Sequence, residues 1–99
     1  MANFDEIDEA RRLLGLGEVA TLKEIKSVYR RLAHRHHPDK HDSATEENEE
    51  MMKKLNWAYK VLMDYCTDYR YSFREEAVAR AYPYEEERRK WRENWFNSI

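Results

Sequence analysis

The stretch "TLKEIKSVYRRLAHRHHPDK", Thr21 to Lys40, decides the fold. Thr21 stands three residues before Glu24, the spacing at which a hydroxyl and a carboxylate satisfy free N–H groups at a helix start. Leu22, Ile25, Val28, Tyr29, Leu32, Ala33 and His36 then recur at helical intervals, which predicts a helix with one buried face. Lys23, Lys26, Arg30 and His34 gather on another face, with Arg31 and Arg35 beyond them. Pro38 ends the helix, because proline disfavours the α conformation at the residue before it, here His37.

Downstream, "PDKHDSA" is polar and turn-prone. Ser43 and Glu46 are spaced as another capping box, and the glutamates that follow suit the positive end of a helix. Met52, Leu55, Ala58, Tyr59, Leu62 and Cys66 lie on one side of a third helix. Two helices of about 16 residues joined by a loop of about 8 make an antiparallel hairpin, with His37, Pro38 and Asp39 at its exposed tip.

Upstream, a shorter first helix is expected from about Phe4 to Leu14, with Asn3 and Glu6 as its capping box. Ile7, Ala10, Leu13 and Leu14 form its apolar stripe, and Gly15 is placed to end it. Beyond Tyr65 the pattern weakens. "FREEAVARAY" (Phe73 to Tyr82) reads as a short helix halted before Pro83. "YEEERRKWRENWF" (Tyr84 to Phe96) reads as another, with Tyr84, Trp91 and Trp95 on one side and Glu85–Arg89 and Glu86–Lys90 pairs at favourable spacing.

The composition agrees with an all-α domain. The chain of 99 residues is 41% hydrophobic and 38% charged, with two glycines and two prolines, too few turn formers for a multi-stranded sheet. No apolar run approaches the roughly 20 residues that span a bilayer, and the N-terminus is too acidic and polar for a signal peptide. Cys66 is the lone cysteine, so no internal disulfide forms. A cytoplasmic, monomeric protein is expected.

Charge is distributed unevenly. From Leu22 to His41 six basic residues (Lys23, Lys26, Arg30, Arg31, Arg35, Lys40) oppose two acidic ones, whereas Asp42 to Met51 hold five acids and no base. One basic and one acidic face follow from that arrangement.

Four chemistries compete for the tip. His34, His36, His37, His41 and Asp39 are metal-ligand types at close spacing, yet no cysteine pair or second histidine cluster completes a set, and His34 and His36 point about 200° apart round the helix. His37 and Asp39 suit a base and its orienter, but a convex tip offers no pocket and the chain has no glycine-rich phosphate loop. A basic helix after a short helix resembles a helix-turn-helix nucleic-acid reader. A pI near 6.1 and the acidic stretch beyond the turn oppose that reading. The fourth is protein docking, favoured because the basic face runs directly into a polar, proline-stiffened tip. The nucleic-acid or generic interaction module stands as the alternative; no nucleic acid, membrane or metal is expected as a partner.

"LGL" (Leu14 to Leu16), "EIKSVYRRLAHRHHPDK" (Glu24 to Lys40) and "LNWAYKVL" (Leu55 to Leu62) together resemble the J-domain, the DnaJ co-chaperone module, over residues 5 to 66. The resemblance implies a short first helix, a long helical hairpin and a module that stimulates ATP hydrolysis by a DnaK-type chaperone in its ATP-bound state. Such a module binds no ATP itself, so neither a cofactor nor a catalytic residue is expected. In the family the basic face of the second helix docks on an acidic surface of the chaperone. The matching positions here are Lys26, Arg30 and Arg31, with Lys40 just past the tip. His37, Pro38 and Asp39 are implied to lie where the chaperone's nucleotide-binding domain meets its linker, the aspartate engaging an arginine. Tyr29, Leu32, Leu55, Ala58, Tyr59 and Leu62 are implied to hold the hairpin's shape.

The departures from the family pattern are Ala10 and Arg11, where paired tyrosines are frequent, and "CTDYRYSFREE", which matches the usual basic fourth helix loosely. With no glycine/phenylalanine-rich linker, zinc-binding repeat or β-rich domain, the chain, if complete, resembles a minimal class C (type III) J-protein. The expected division is a J-domain over residues 4–70 and a helical extension over residues 71–99. That extension either folds back on the J-domain, the favoured expectation, or binds a client or adaptor. Trp57 favours fold-back: it lies about 180° from the middle of the third helix's stripe, where the family has a charged residue, and Trp91 and Trp95 are suited to cover it.

Overall fold

The computed structural model describes residues 2–36, 46–82, 92–95 and 97. It shows four helices with defined bounds: α1 (Phe4–Leu13), α2 (Leu22–His36), α3 (Glu46–Asp68) and α4 (Glu75–Ala81). No strand occurs among the described residues, so the domain is all-α. The chain divides into two compact units, Met1–Tyr69 and Arg70–Ile99.

In the first unit each helix starts and stops for a local reason. Asn3 caps α1, its Oδ1 accepting the Glu6 N–H at 2.9 Å. The helix ends in a Schellman turn: Gly15 adopts φ 69°, its N–H bonds the Arg12 carbonyl, and the Leu16 N–H bonds the Arg11 carbonyl, both at 2.9 Å. Arg11 reinforces this end. Its Nε donates to Asp8 Oδ1 at 2.8 Å and its Nη1 to the Leu16 carbonyl at 3.2 Å, while Arg12 pairs with Asp8 Oδ2 at 3.0 Å. An arginine where the family often has a tyrosine thus ties helix to loop. At the start of α2, Thr21 Oγ1 accepts the Glu24 N–H at 3.1 Å and donates its own proton to the Glu24 carboxylate at 3.1 Å.

The core of this unit is Ala10, Leu14, Ile25, Leu55, Ala58, Val61 and Leu62. Val28, Tyr29, Leu32, Met51, Met52, Tyr59 and Cys66 are half-buried around it. Helix α3 is the common partner of α1 and α2. With 23 residues it is longer than the sequence pattern suggests and extends about 35 Å. Each large side chain withdrawn from water contributes about 1.5–3 kcal/mol to this association.

Two expectations about helix faces change. Leu22 is 40% exposed rather than buried. At 100° per residue it lies between Ile25 and Lys26, about 60° off the stripe. Val61, outside the expected stripe of α3, is buried. A single stripe presumes one partner helix, and α3 has two. Its buried arc therefore continues from Leu55 through Ala58 to Val61, about 120° round.

In the second unit α4 is shorter than the expected Phe73 to Tyr82. Arg74 is extended at φ −73° and ψ 148°, so the helix begins only after it; its N–H donates to Ser72 Oγ at 3.3 Å, and Phe73 is 91% exposed. Tyr82 leaves the helix at φ −128° and ψ 80°, outside the α region that a following proline disfavours. Residues 92–95 are helical, with Trp95 exposed. Most of the second expected helix, including Tyr84 and Trp91, lies outside the described residues.

Candidate partner-docking face

Helix α2 carries Lys23, Lys26, Arg30, Arg31 and Arg35 against a single acid, Glu24. That acid is turned to the helix start by the Thr21 hydroxyl, so it does little to neutralise the basic row behind it. Lys23, Lys26 and Arg30, with Leu22 and Ser27, line an open groove of about 680 Å³ along the outer side of the helix. None of Lys23, Lys26, Arg30 and Arg31 forms an ion pair with another described residue; the pairs lie within α1 and α3. Basic groups without an ion-pair partner among the described residues keep their field available to an incoming acidic surface.

The sequence-based candidates fall into three sets. Lys26 and Arg30 come together in the groove, and Arg31 is exposed on the neighbouring turn, outside the groove lining. His37, Pro38, Asp39 and Lys40 lie outside the described residues, between the end of α2 and the start of α3. Tyr29, Leu32, Leu55, Ala58, Tyr59 and Leu62 belong to the core or pack against it.

Within that last set one contact sets the geometry of the face. The rings of Tyr29 and Tyr59 stack with centroids 4.0 Å apart and planes 12° apart. The Tyr29 hydroxyl donates to Asn56 Oδ1 at 2.6 Å. Tyr29 sits between Ser27 and Arg30 in sequence, so a stack that fixes its ring also fixes the rotation of α2 about its own axis. That rotation decides which way Lys26 and Arg30 point. Asn56 was not among the sequence candidates. Its signal was its place one turn before Lys60 and three before Tyr59, on the edge of the stripe that meets α2.

Three further residues line the groove beyond the candidates, Leu22, Lys23 and Ser27. The exposed Leu22 gives an otherwise ionic surface an apolar edge. Cys66, half-buried on α3, takes no part in the face; burial pushes its thiol pKa up. No described helix is long and apolar enough to cross a membrane.

The family model described as the DnaJ domain matches residues 9–71. The chain is 41% identical over 66 residues to the DnaJ protein homolog XDJ1 of Saccharomyces cerevisiae, covering 65% of this chain and 14% of that protein. It is 47% identical over 51 residues to the chaperone protein DnaJ of Mycoplasmopsis pulmonis, covering 52% and 13%. With the DnaJ homolog subfamily B member 8 of Mus musculus it shares 42% over 64 residues, covering 65% and 26%. It thus spans a quarter or less, roughly, of the length of these curated relatives. No solved structure matches. With over half its length inside the family model and its helices ordered as that module requires, the chain belongs to the DnaJ-domain family, a membership that supports a co-chaperone role.

Proposed function

We propose that the protein docks on a DnaK-type chaperone in its ATP-bound state and stimulates its ATPase, recruiting it to a client. The docking residues are Lys26, Arg30 and Arg31 on α2 and His37, Pro38, Asp39 and Lys40 at the tip. The observation that carries this reading is the groove on α2 that Lys23, Lys26 and Arg30 line together, oriented by the Tyr29–Tyr59 stack. Its partner is a surface of opposite charge.

The physics of such a contact suits a recruiter. A basic helix meeting an acidic patch associates fast, weakly and in a salt-sensitive way, which lets the partner leave after each cycle. A charge-assisted hydrogen bond from an arginine of the chaperone to Asp39 is directional. A contact made in one conformation of the chaperone and not the other shifts its equilibrium, and that differential is what a trigger needs. The protein supplies no catalytic group; hydrolysis takes place in the chaperone. In this reading the module occupies residues 4–70 and works in the cytoplasm as a monomer.

The test is ATP turnover by a DnaK-type chaperone with the wild-type chain and with Asp39→Asn. The variant should lose stimulation while keeping its helicity and Tm, since a polar substitution of near-identical size outside the core costs little stability. Normal stimulation by Asp39→Asn refutes the mechanism. The same variant separates the nucleic-acid alternative, in which removing an acid strengthens binding.

A further inference from the structure

On the side of α3 that meets α1, Glu9 and Leu13 of α1 and Lys53, Lys54 and Trp57 of α3 line a shallow groove of about 350 Å³. Trp57 lies about 40° beyond the buried Val61 round the helix, at the very edge of the arc that α1 covers. It remains 38% exposed beside a sealed core. On its own helix three lysines surround it: Lys53 four residues before, Lys54 three before and Lys60 three after, the positions adjacent to residue 57 on a helix surface. All three are exposed. Lys53 approaches Glu50 at only 3.9 Å on an open surface, a contact too loose to neutralise it. A tryptophan floor with a cationic rim is the composition of an interface anchor site.

We propose that this groove is a second docking surface, and that its occupant is a short acidic segment of a partner protein carrying one large apolar anchor. The anchor seats on Trp57 and Leu13, and the carboxylates beside it meet Lys53, Lys54 and Lys60. A peptide fits better than a nucleic acid because the basic patch is small. Glu9 closes its α1 rim, and Glu46, Glu47, Glu49 and Glu50 follow at the head of α3. An extended phosphate chain leaving the three lysines runs into those carboxylates, whereas a short acidic cluster held by an apolar anchor does not. The groove shares no lining residue with the basic face of α2. Both surfaces can therefore be filled at once, one partner on each. The inference rests on this groove alone and is independent of the chaperone reading.

The experiment titrates the isotope-labelled full chain with a synthetic peptide of glutamates flanking a single phenylalanine. Parallel titrations use the same peptide with alanine in place of phenylalanine, one with lysines in place of glutamates, and oligothymidylate of equal charge. The glutamate–phenylalanine peptide should shift the Trp57 indole and the Lys53, Lys54 and Lys60 amide resonances saturably, and leave Lys26 and Arg30 unmoved. Both altered peptides should fail, and added salt should weaken binding. Trp57→Ala should weaken it by about tenfold or more. The charge reversal Lys53→Glu with Lys54→Glu, on exposed positions that leave the core intact, should do the same. Four results overturn the proposal: no saturable binding, affinity unchanged in both variants, shifts confined to the α2 face, or tighter binding of oligothymidylate at the same resonances. A fifth is nuclear Overhauser contact between the Trp57 indole and residues 83–99 in the free protein, which makes the chain's own C-terminal segment the occupant.

Discussion

Replacing Tyr29 and Tyr59 by leucine, singly and together, tests whether their stack holds the docking face in place. Leucine keeps an apolar group at each site and removes the ring. The single Tyr29→Leu change deletes two interactions. The stack at 4.0 Å and 12° is worth about 0.5–1.5 kcal/mol beyond its buried area. The 2.6 Å hydrogen bond to Asn56 contributes about 0.5–1.5 kcal/mol, towards the lower figure because it is exposed. The expected loss is about 1–3 kcal/mol, and for a domain of this size each kcal/mol lowers Tm by about 4–8 °C. Urea unfolding followed by far-UV circular dichroism measures each variant, and the double-mutant cycle isolates the ring–ring term. A coupling energy of about 0.5–1.5 kcal/mol is expected. Asn56→Ala alone should account for the hydroxyl part. Additive single losses, with a coupling within about 0.3 kcal/mol of zero, refute the idea that the two rings orient α2 through each other.

Lys26→Glu with Arg30→Glu should abolish salt-sensitive binding to a DnaK-type chaperone while leaving Tm nearly unchanged, since neither group pairs within the described protein; binding equal to wild type at low ionic strength rejects the basic face. Gly15→Ala should cost about 1 kcal/mol, read as a lower urea midpoint, because Gly15 holds φ 69° with open space around its Cα and the penalty is therefore purely conformational. Cys66 has a raised pKa through burial, so the unfolded chain releases the thiol proton first. Its contribution to stability is then full below the unfolded value and falls as pH rises through the window between unfolded and folded pKa values. Alkylation of the folded chain should accordingly reach its half-maximal rate at a higher pH than that of the urea-unfolded chain; equal midpoints contradict the burial.

Much of this fold was legible because its signals are local. Asn3 with Glu6, Thr21 with Glu24, and Gly15 act within a few residues of themselves, so spacing alone reveals them. The same holds for the basic row of α2, since residues three and four apart share a face in any α-helix. The family resemblance added the meaning of the tip, which no periodicity conveys. What the pattern could not resolve depends on a second partner. Val61 is buried and Trp57 brought to the edge of a groove because α3 is covered by α1 as well as α2, and the width of a buried arc is set by how many neighbours press on it. Leu22 is exposed for the converse reason, standing where no neighbour reaches. The Tyr29–Tyr59 stack and the bond from Tyr29 to Asn56 join residues about thirty positions apart. Nothing in either helix specifies that meeting. It exists only once the hairpin closes, when burial of Leu55, Ala58 and Leu62 sets the register that brings the two rings face to face.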